Sequence, residues 1–171
     1  MATTYELISS VTVGSGGAQS MAFTSIPQTY TDLLLKVSSR NTADNYGGFT
    51  LYRTAIGTRF QGKFLSGEGS SGTTSGFTSE FFFTRSGNTT DVFSSVEFYI
   101  PNYTLTSLNK TLGADGIVEN NTTGSYRFNA FYAYDIADSA AINQLYVEVG
   151  AGFADKFAQY STAYLYGISN A

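Results

Sequence analysis

An all-β fold, an antiparallel sandwich or barrel of about ten or eleven strands, is what this 171-residue chain predicts. Short apolar runs recur at close intervals, each bounded by Gly, Asn, Asp or Ser. Helical periodicity is poor throughout. Aromatic residues make up 16% of the chain and charged residues only 13%, with Gly, Ser, Thr and Asn filling the gaps, which is the makeup of a packed β structure rather than of a disordered tail.

The first strand is expected over Tyr5 to Val13, where Tyr5, Leu7, Val11 and Val13 keep a loose alternation before Gly14-Ser15-Gly16-Gly17 turns the chain. A short strand follows at Met21 to Phe23. Pro27 fixes its own φ and lacks a donor, so Ile26 to Thr29 is a connection into a strand from Asp32 to Ser39. There the consecutive Leu33, Leu34 and Leu35 predict burial on both faces. Further strands are expected at Gly48 to Arg53, Thr58 to Leu65, Ser79 to Thr84, Phe93 to Ile100, Gly116 to Glu119, Tyr126 to Tyr134, Gln144 to Val149 and Ala163 to Ile168. Between Phe93 and Ile100 the alternation is clearest: Val96, Phe98 and Ile100 share a core face while Glu97 and Tyr99 take the other. From Arg127 to Asp135, Phe131 and Ala133 oppose Ala130, Tyr132 and Tyr134, so a central strand covered in part on each side is expected. The alanine-rich Asp135 to Asn143 leaves room for at most one short helix. Ser66 to Gly76, all Gly, Ser, Thr and one Glu, reads as a long mobile loop.

One domain over residues 1–171 is the natural count, and a chain of this size buries roughly 70% of its unfolded surface without needing cross-links. None can form from cysteine, since there is none. A net charge of −4 offers no footprint for a phosphate backbone, so nucleic acid is not an expected partner. No run approaches the ~20 apolar residues of a membrane helix, and Met1 to Ser10 lacks the features of a secretion signal. Synthesis in a cytoplasm and no membrane partner are the expectation. The Asn-x-Ser/Thr triplets at Asn88, Asn102, Asn109 and Asn121 are what chance supplies in a chain rich in Asn and Thr.

With neither histidine nor cysteine, Ser-His-Asp and Cys-His catalysis and imidazole or thiolate zinc sites are impossible. A glycosidase would need two carboxylates facing each other across ~5–9.5 Å, and the chain has no tryptophan to serve as a sugar platform. Asp135, Asp138 and Asn143, or Asp44, Asn41 and Asn45, bring oxygen ligands together in sequence without matching an EF-hand, and Asx residues in loops commonly make turns instead. Gly14 to Gly17 lacks the lysine of a phosphate loop. No enzyme activity and no cofactor are expected. The feature that asks for explanation is Phe77, Phe81, Phe82 and Phe83. Three consecutive phenylalanines in a strand must point to alternating faces, so either the strand is covered on both sides or one ring is buried by another subunit. These four are the candidate interface residues.

Five strings occur in order across nearly the whole chain: Tyr5-Glu6-Leu7-Ile8; Phe23 to Leu33 (F-T-S-I-P-Q-T-Y-T-D-L); Val96 to Tyr103 (V-E-F-Y-I-P-N-Y); Val118-Glu119-Asn120-Asn121; and Tyr164-Leu165-Tyr166-Gly167-Ile168. Together they resemble a widespread group of small virion structural proteins of tailed bacteriophages. The stretch from Tyr46 to Asn88 matches least well. The resemblance implies a jelly-roll-like β-sandwich and a non-enzymatic particle component located in the virion. We expect a capsid decoration or cement protein that binds the assembled head, bridges capsomers of the major capsid protein and associates with copies of itself as a homotrimer. The alternative it leaves open is a tail fibre or tail-tip domain that binds host-surface glycan. That reading predicts a polar groove with exposed aromatics built from the Ser66 to Gly76 and Tyr103 to Lys110 loops.

Overall fold

The computed structural model describes residues 4–43, 49–53, 59–68, 71–78, 81, 84–118, 128–149 and 155–169. Among them are eleven strands and no helix: β1 (Tyr5–Thr12), β2 (Ser20–Phe23), β3 (Asp32–Ser39), β4 (Phe49–Tyr52), β5 (Gln61–Glu68), β6 (Ser71–Thr78), β7 (Ser94–Ile100), β8 (Lys110–Val118), β9 (Phe128–Ile136), β10 (Leu145–Val149) and β11 (Thr162–Ile168). Eight form one sheet in the order β1-β11-β3-β7-β8-β9-β5-β6, and three form a second in the order β2-β10-β4. Every pairing between these strands is antiparallel. β1 and β3 lie in the large sheet, β2 and β4 in the small one. The chain then returns through β10 of the small sheet to β11, which inserts between β1 and β3.

The expected β-sandwich is therefore present, and its core lies where the sheets face each other. Met21, Phe49, Leu51, Leu145 and Val147 of the small sheet join Leu33, Leu35, Phe98, Ile100 and Leu165 of the large one in a single apolar cluster. Phe49 of β4 meets Phe98 of β7 edge to face, with ring centroids 6.0 Å apart. Because side chains alternate across a pleat, each strand of the large sheet buries one set and exposes the other. In β8 the alternation runs unbroken, with Leu112, Ala114 and Val118 inward and Thr111, Asp115 and Ile117 outward.

Three strands cannot cover eight, and residues outside the strands, Phe60, Phe81, Tyr103 and Phe157 among them, join the core; Phe81 carries the small sheet toward β9. It is fully buried and stands within ring contact of Phe49 (5.6 Å), Phe98 (4.6 Å), Tyr132 (4.8 Å) and Tyr134 (4.8 Å). Its backbone exchanges both hydrogen bonds with Phe49, extending the small sheet by one residue beyond β4. This corrects the expectation for one of the four candidate interface rings: Phe81 belongs to the protein's own core. Phe77 lies in β6 opposite Lys63, but its side chain, like the whole of Phe82 and Phe83, lies outside the described residues.

Other expectations change with tertiary context. Ser66 to Gly76 is not a loop. Ser66 to Glu68 end β5, Ser71 to Gly76 make most of β6, and the two pair as a hairpin docked on β9. A ladder of backbone hydrogen bonds needs no apolar side chains, and neighbouring strands supply it here. The strand expected at Thr58 to Leu65 is instead Gln61–Glu68, and Phe60 becomes a fully buried residue ahead of it, its N–H donating to the Leu51 carbonyl. The stretch expected as a strand at Ser79 to Thr84 contributes only single-residue bridges at Phe81 and Thr84 among the described residues. Asp135 and Ile136 end β9, and no helix follows them. Leu33, Leu34 and Leu35 are all buried, as their run predicts.

Four of the strings singled out in the sequence interlock at one end of the large sheet. β3 pairs with β11 so that Leu33 faces Gly167, and Tyr30 lies directly over that glycine; a Cβ there would fall inside the Tyr30 ring. The Glu6 carboxylate of β1 accepts from the Tyr30 hydroxyl, and this bond raises the Tyr30 pKa above the ordinary value. Asp32, buried at the start of β3, accepts from the Tyr99 hydroxyl (2.7 Å) and from the Asn102 N–H (2.8 Å). Asn102 has φ = 52°, a left-handed conformation that Asn tolerates better than most residues, and it delivers its N–H to the carboxylate. Next to it the buried Tyr103 donates its hydroxyl to the Pro27 carbonyl, while its own carbonyl accepts from the Ile142 N–H.

Replacing Phe81 with alanine is expected to cost about 3–5 kcal/mol in a urea unfolding titration, since it empties the junction of both sheets. Tyr99→Phe removes a hydrogen bond to a charged acceptor and is expected to cost about 1.5–3 kcal/mol. Bonding to Asp32 raises the Tyr99 pKa above its ordinary value of 10.0. The stabilisation is therefore complete below that value and lost as pH climbs through the raised one. Unfolding midpoints measured between pH 8 and pH 12 should fall more steeply in the wild type than in Tyr99→Phe.

Candidate functional site

Two cationic side chains in this protein hold backbone carbonyls. Arg40, at the end of β3, donates to four carbonyls of one loop: Thr89 (2.8 Å), Val92 (2.9 Å), Ser86 (2.9 Å) and Asn88 (3.1 Å). Lys110, only 1% exposed, donates to the carbonyls of Leu105, Leu108 (2.9 Å) and Ser139 (2.9 Å). Burial lowers its pKa, a cost offset in part by nearby Asp138. Asp138 in turn pairs with Arg53 and accepts from the Ala140 N–H at 2.8 Å, and these contacts hold its pKa below the ordinary value.

The structure describes one of the two oxygen-ligand groupings suggested by the sequence in full and the other only at Asn41. Asp138 is engaged with Arg53, while Asp135 and Asn143 are exposed elsewhere. Asn41 donates to Asp155 (3.4 Å) and accepts from the Ala43 N–H (3.1 Å), and Asp44 and Asn45 lie outside the described residues. Among the described residues no three His, Cys, Asp or Glu side chains gather as a metal site would require. Asn88 of the first Asn-x-Thr triplet is buried, its Oδ1 accepting from the Arg85 N–H.

The outer face of the eight-stranded sheet is different in kind. Ten large hydrophobic side chains stand exposed among the described residues, and seven of them are on this one face. Tyr5 and Leu7 of β1, Tyr164 of β11 and Tyr99 of β7 occupy one half, Ile117 of β8, Phe131 of β9 and Leu65 of β5 the other. Phe131 is 65% exposed. A concentration of this kind on one surface marks an interaction site far more often than scattered exposure does.

In the first half a shallow groove of about 340 Å³ is lined by Tyr5, Leu34, Lys36, Glu97 and Tyr166. Leu34 is its buried floor, flanked in register by Tyr166 on β11 and Tyr99 on β7. Lys36 and Glu97 face each other across β3 and β7 with an ion pair of 2.8 Å, which raises the Lys36 pKa. Both side chains are about half exposed, so the pair orients the rim of the groove more than it stabilises the fold. In the second half Phe131 stands directly opposite Leu65 on one side and Asp115 on the other.

Two segments were expected to build a polar groove, Ser66 to Gly76 and Tyr103 to Lys110, and their described residues serve the fold instead. The first is a strand hairpin, and the second buries Tyr103 and Lys110 while exposing Leu105 and Leu108. Sequence reasoning placed Phe131 correctly on the face opposite Tyr132 but expected a cover over it. Among the described residues none covers it, so the apolar residues on the non-core side of the alternation were the available signal.

Lys110→Met is expected to leave the Leu105, Leu108 and Ser139 carbonyls without their shared donor. A loss of about 1.5–3 kcal/mol is expected, with faster amide hydrogen exchange concentrated in residues 101–109. Comparison with known protein families, with curated proteins and with solved structures found no match to this chain.

Proposed function

We propose that this protein is a non-enzymatic structural component of a tailed-phage virion, a capsid decoration or cement protein that binds the assembled head and bridges capsomers. The observation that carries this reading is the outer sheet face, with its apolar centre and polar interleaving, the pattern of protein-binding surfaces. The phage-like strings support it from another side. Residues from four of them build the Tyr30–Gly167 and Asp32–Tyr99 contacts, so what resembles virion proteins here is a fold determinant and not a catalytic motif. The order β1-β11-β3-β7 against β2-β10-β4, with the chain passing between sheets, supports a jelly roll widened by β8, β9 and the β5–β6 hairpin.

On this reading the work is done by mass action. A domain that binds only the assembled lattice stabilises it by RT ln(1 + [L]/Kd) at each site, and the effect repeats over every site on the shell. The tyrosine half of the face suits such a contact, because tyrosine offers a broad apolar ring with a hydroxyl that remains satisfied at a wet rim.

A tail-tip domain that binds host glycan is the second reading, and the tyrosine-lined groove with its Lys36–Glu97 pair favours it. Co-sedimentation separates the two. Purified protein should pellet with heads of the encoding phage, and Tyr164→Asp should bind them at least tenfold more weakly at an unchanged melting temperature. Protein that ignores heads but is retained by host surface polysaccharide sinks the decoration reading and leaves the second.

A further inference from the structure

We propose that Tyr160 is an anchor of the head contact, a ring presented to the partner by a turn whose backbone suits other residues better. The proposal rests on the reading of this protein as one that binds the assembled head.

Four residues other than glycine have positive φ among the described residues: Ser25 (57°), Asp91 (63°), Asn102 (52°) and Tyr160 (70°). Asn and Asp tolerate the left-handed region because their short side chains bond locally, and Ser is small. A bulky aromatic has no such compensation. Asparagine or glycine would stand at position 160 with less strain, and the tyrosine returns nothing to the fold for it. Its side chain is 68% exposed and makes no hydrogen bond, ring contact or ion pair among the described residues.

Strain of this kind persists only where the surroundings over-determine the backbone, and here they do. The Tyr160 N–H donates to the Val13 carbonyl (2.9 Å), the Val13 N–H to the Ser161 carbonyl (2.9 Å) and the Ser161 N–H to the Ala158 carbonyl (3.1 Å). Ser161 is fully buried, and its Oγ accepts from the Arg40 N–H at 3.2 Å. Phe157, packed edge to face on Phe49, fixes the other side of the turn. The turn is thus held by groups other than the Tyr160 ring, which leaves the ring for outside work. Strained positions cluster at binding sites, and tyrosine is among the residues that dominate protein contacts.

The partner follows from where the turn stands. β11 exposes Tyr164 on the outer face while burying Ala163 and Leu165, and Thr162 precedes Tyr164 in the same alternating series. Tyr160 is the next member of that series, just beyond the strand. It lies four residues from Tyr164, at most ~14 Å along the chain. A standard interface takes about 800 Å² from each partner, so a capsid surface seated on Tyr164 extends over Tyr160 as well.

Co-sedimentation of the full-length protein with heads of the encoding phage assembled without it tests the proposal, together with thermal melting of the same samples. Tyr160→Asn should bind heads at least tenfold more weakly while its melting temperature rises by about 2–4 °C, because the strain goes with the ring. Tyr160→Gly should lose binding to the same degree with a smaller thermal gain, since glycine also frees the unfolded chain. Tyr160→Phe keeps the ring and should bind as the wild type does. Asn and Gly variants that bind heads like the wild type overturn this inference and leave the decoration reading standing. So does a fall in melting temperature in both, because the ring then serves the fold. A wild type that does not pellet with such heads sinks the decoration reading and this inference together.

Discussion

The carboxylate of Asp32 sits at the point where the architecture is decided. It is buried at the first residue of β3, the strand whose three leucines are all buried and which pairs with β11 on one side and β7 on the other. By accepting from Tyr99 on β7 and from the Asn102 N–H in the turn beyond it, the carboxylate fixes the register of β3 against β7 and the exit direction of the chain. A one-residue slip would carry every outward side chain of β3 to the core face, so a register lock here is a lock on the whole pattern. From that turn Tyr103 reaches Pro27 and the backbone of Ile142, which makes three separate connections into one network.

Arg40 does the corresponding work at the opposite end of β3, gathering four carbonyls of the 86–92 loop around one guanidinium. Lys110 does it for the 101–109 loop. A buried backbone carbonyl without a partner is costly, and a cation with several donors satisfies a cluster of them at once. The protein thus organises these loops without disulfides, through Arg40 and Lys110. Between these staples the apolar core closes around Phe81, which lets a three-stranded sheet serve an eight-stranded one.

What is left after these structural demands is the outer face of the large sheet. Half of it is tyrosine over a leucine floor with a paired Lys36 and Glu97, and half carries the exposed Phe131, Leu65 and Ile117. A wide sheet covered on one face by its own chain and open on the other is a natural adhesive element.

Much of the fold was legible in the chain itself. The span of β3 follows from its leucine run between Thr31 and Arg40, and the inward set of β7 from the alternation of Val96, Phe98 and Ile100, because both strands carry their burial pattern locally. β5 and β6 were hidden in Ser66 to Gly76, where the strand state comes from hydrogen bonds offered by β9 and not from any apolar period. β8 was read only at its end, since Gly113, Ala114 and Gly116 take strand geometry from the neighbours that flank them. Phe81 looked like one of four equivalent rings until long-range contacts with Phe49, Phe98, Tyr132 and Tyr134 placed it in the core. The exposed face was half legible: alternation put Phe131 opposite the core residues, but only the tertiary structure decided that no described residue covers it. Local periodicity states which residues share a face; what lies against that face is a long-range fact of topology.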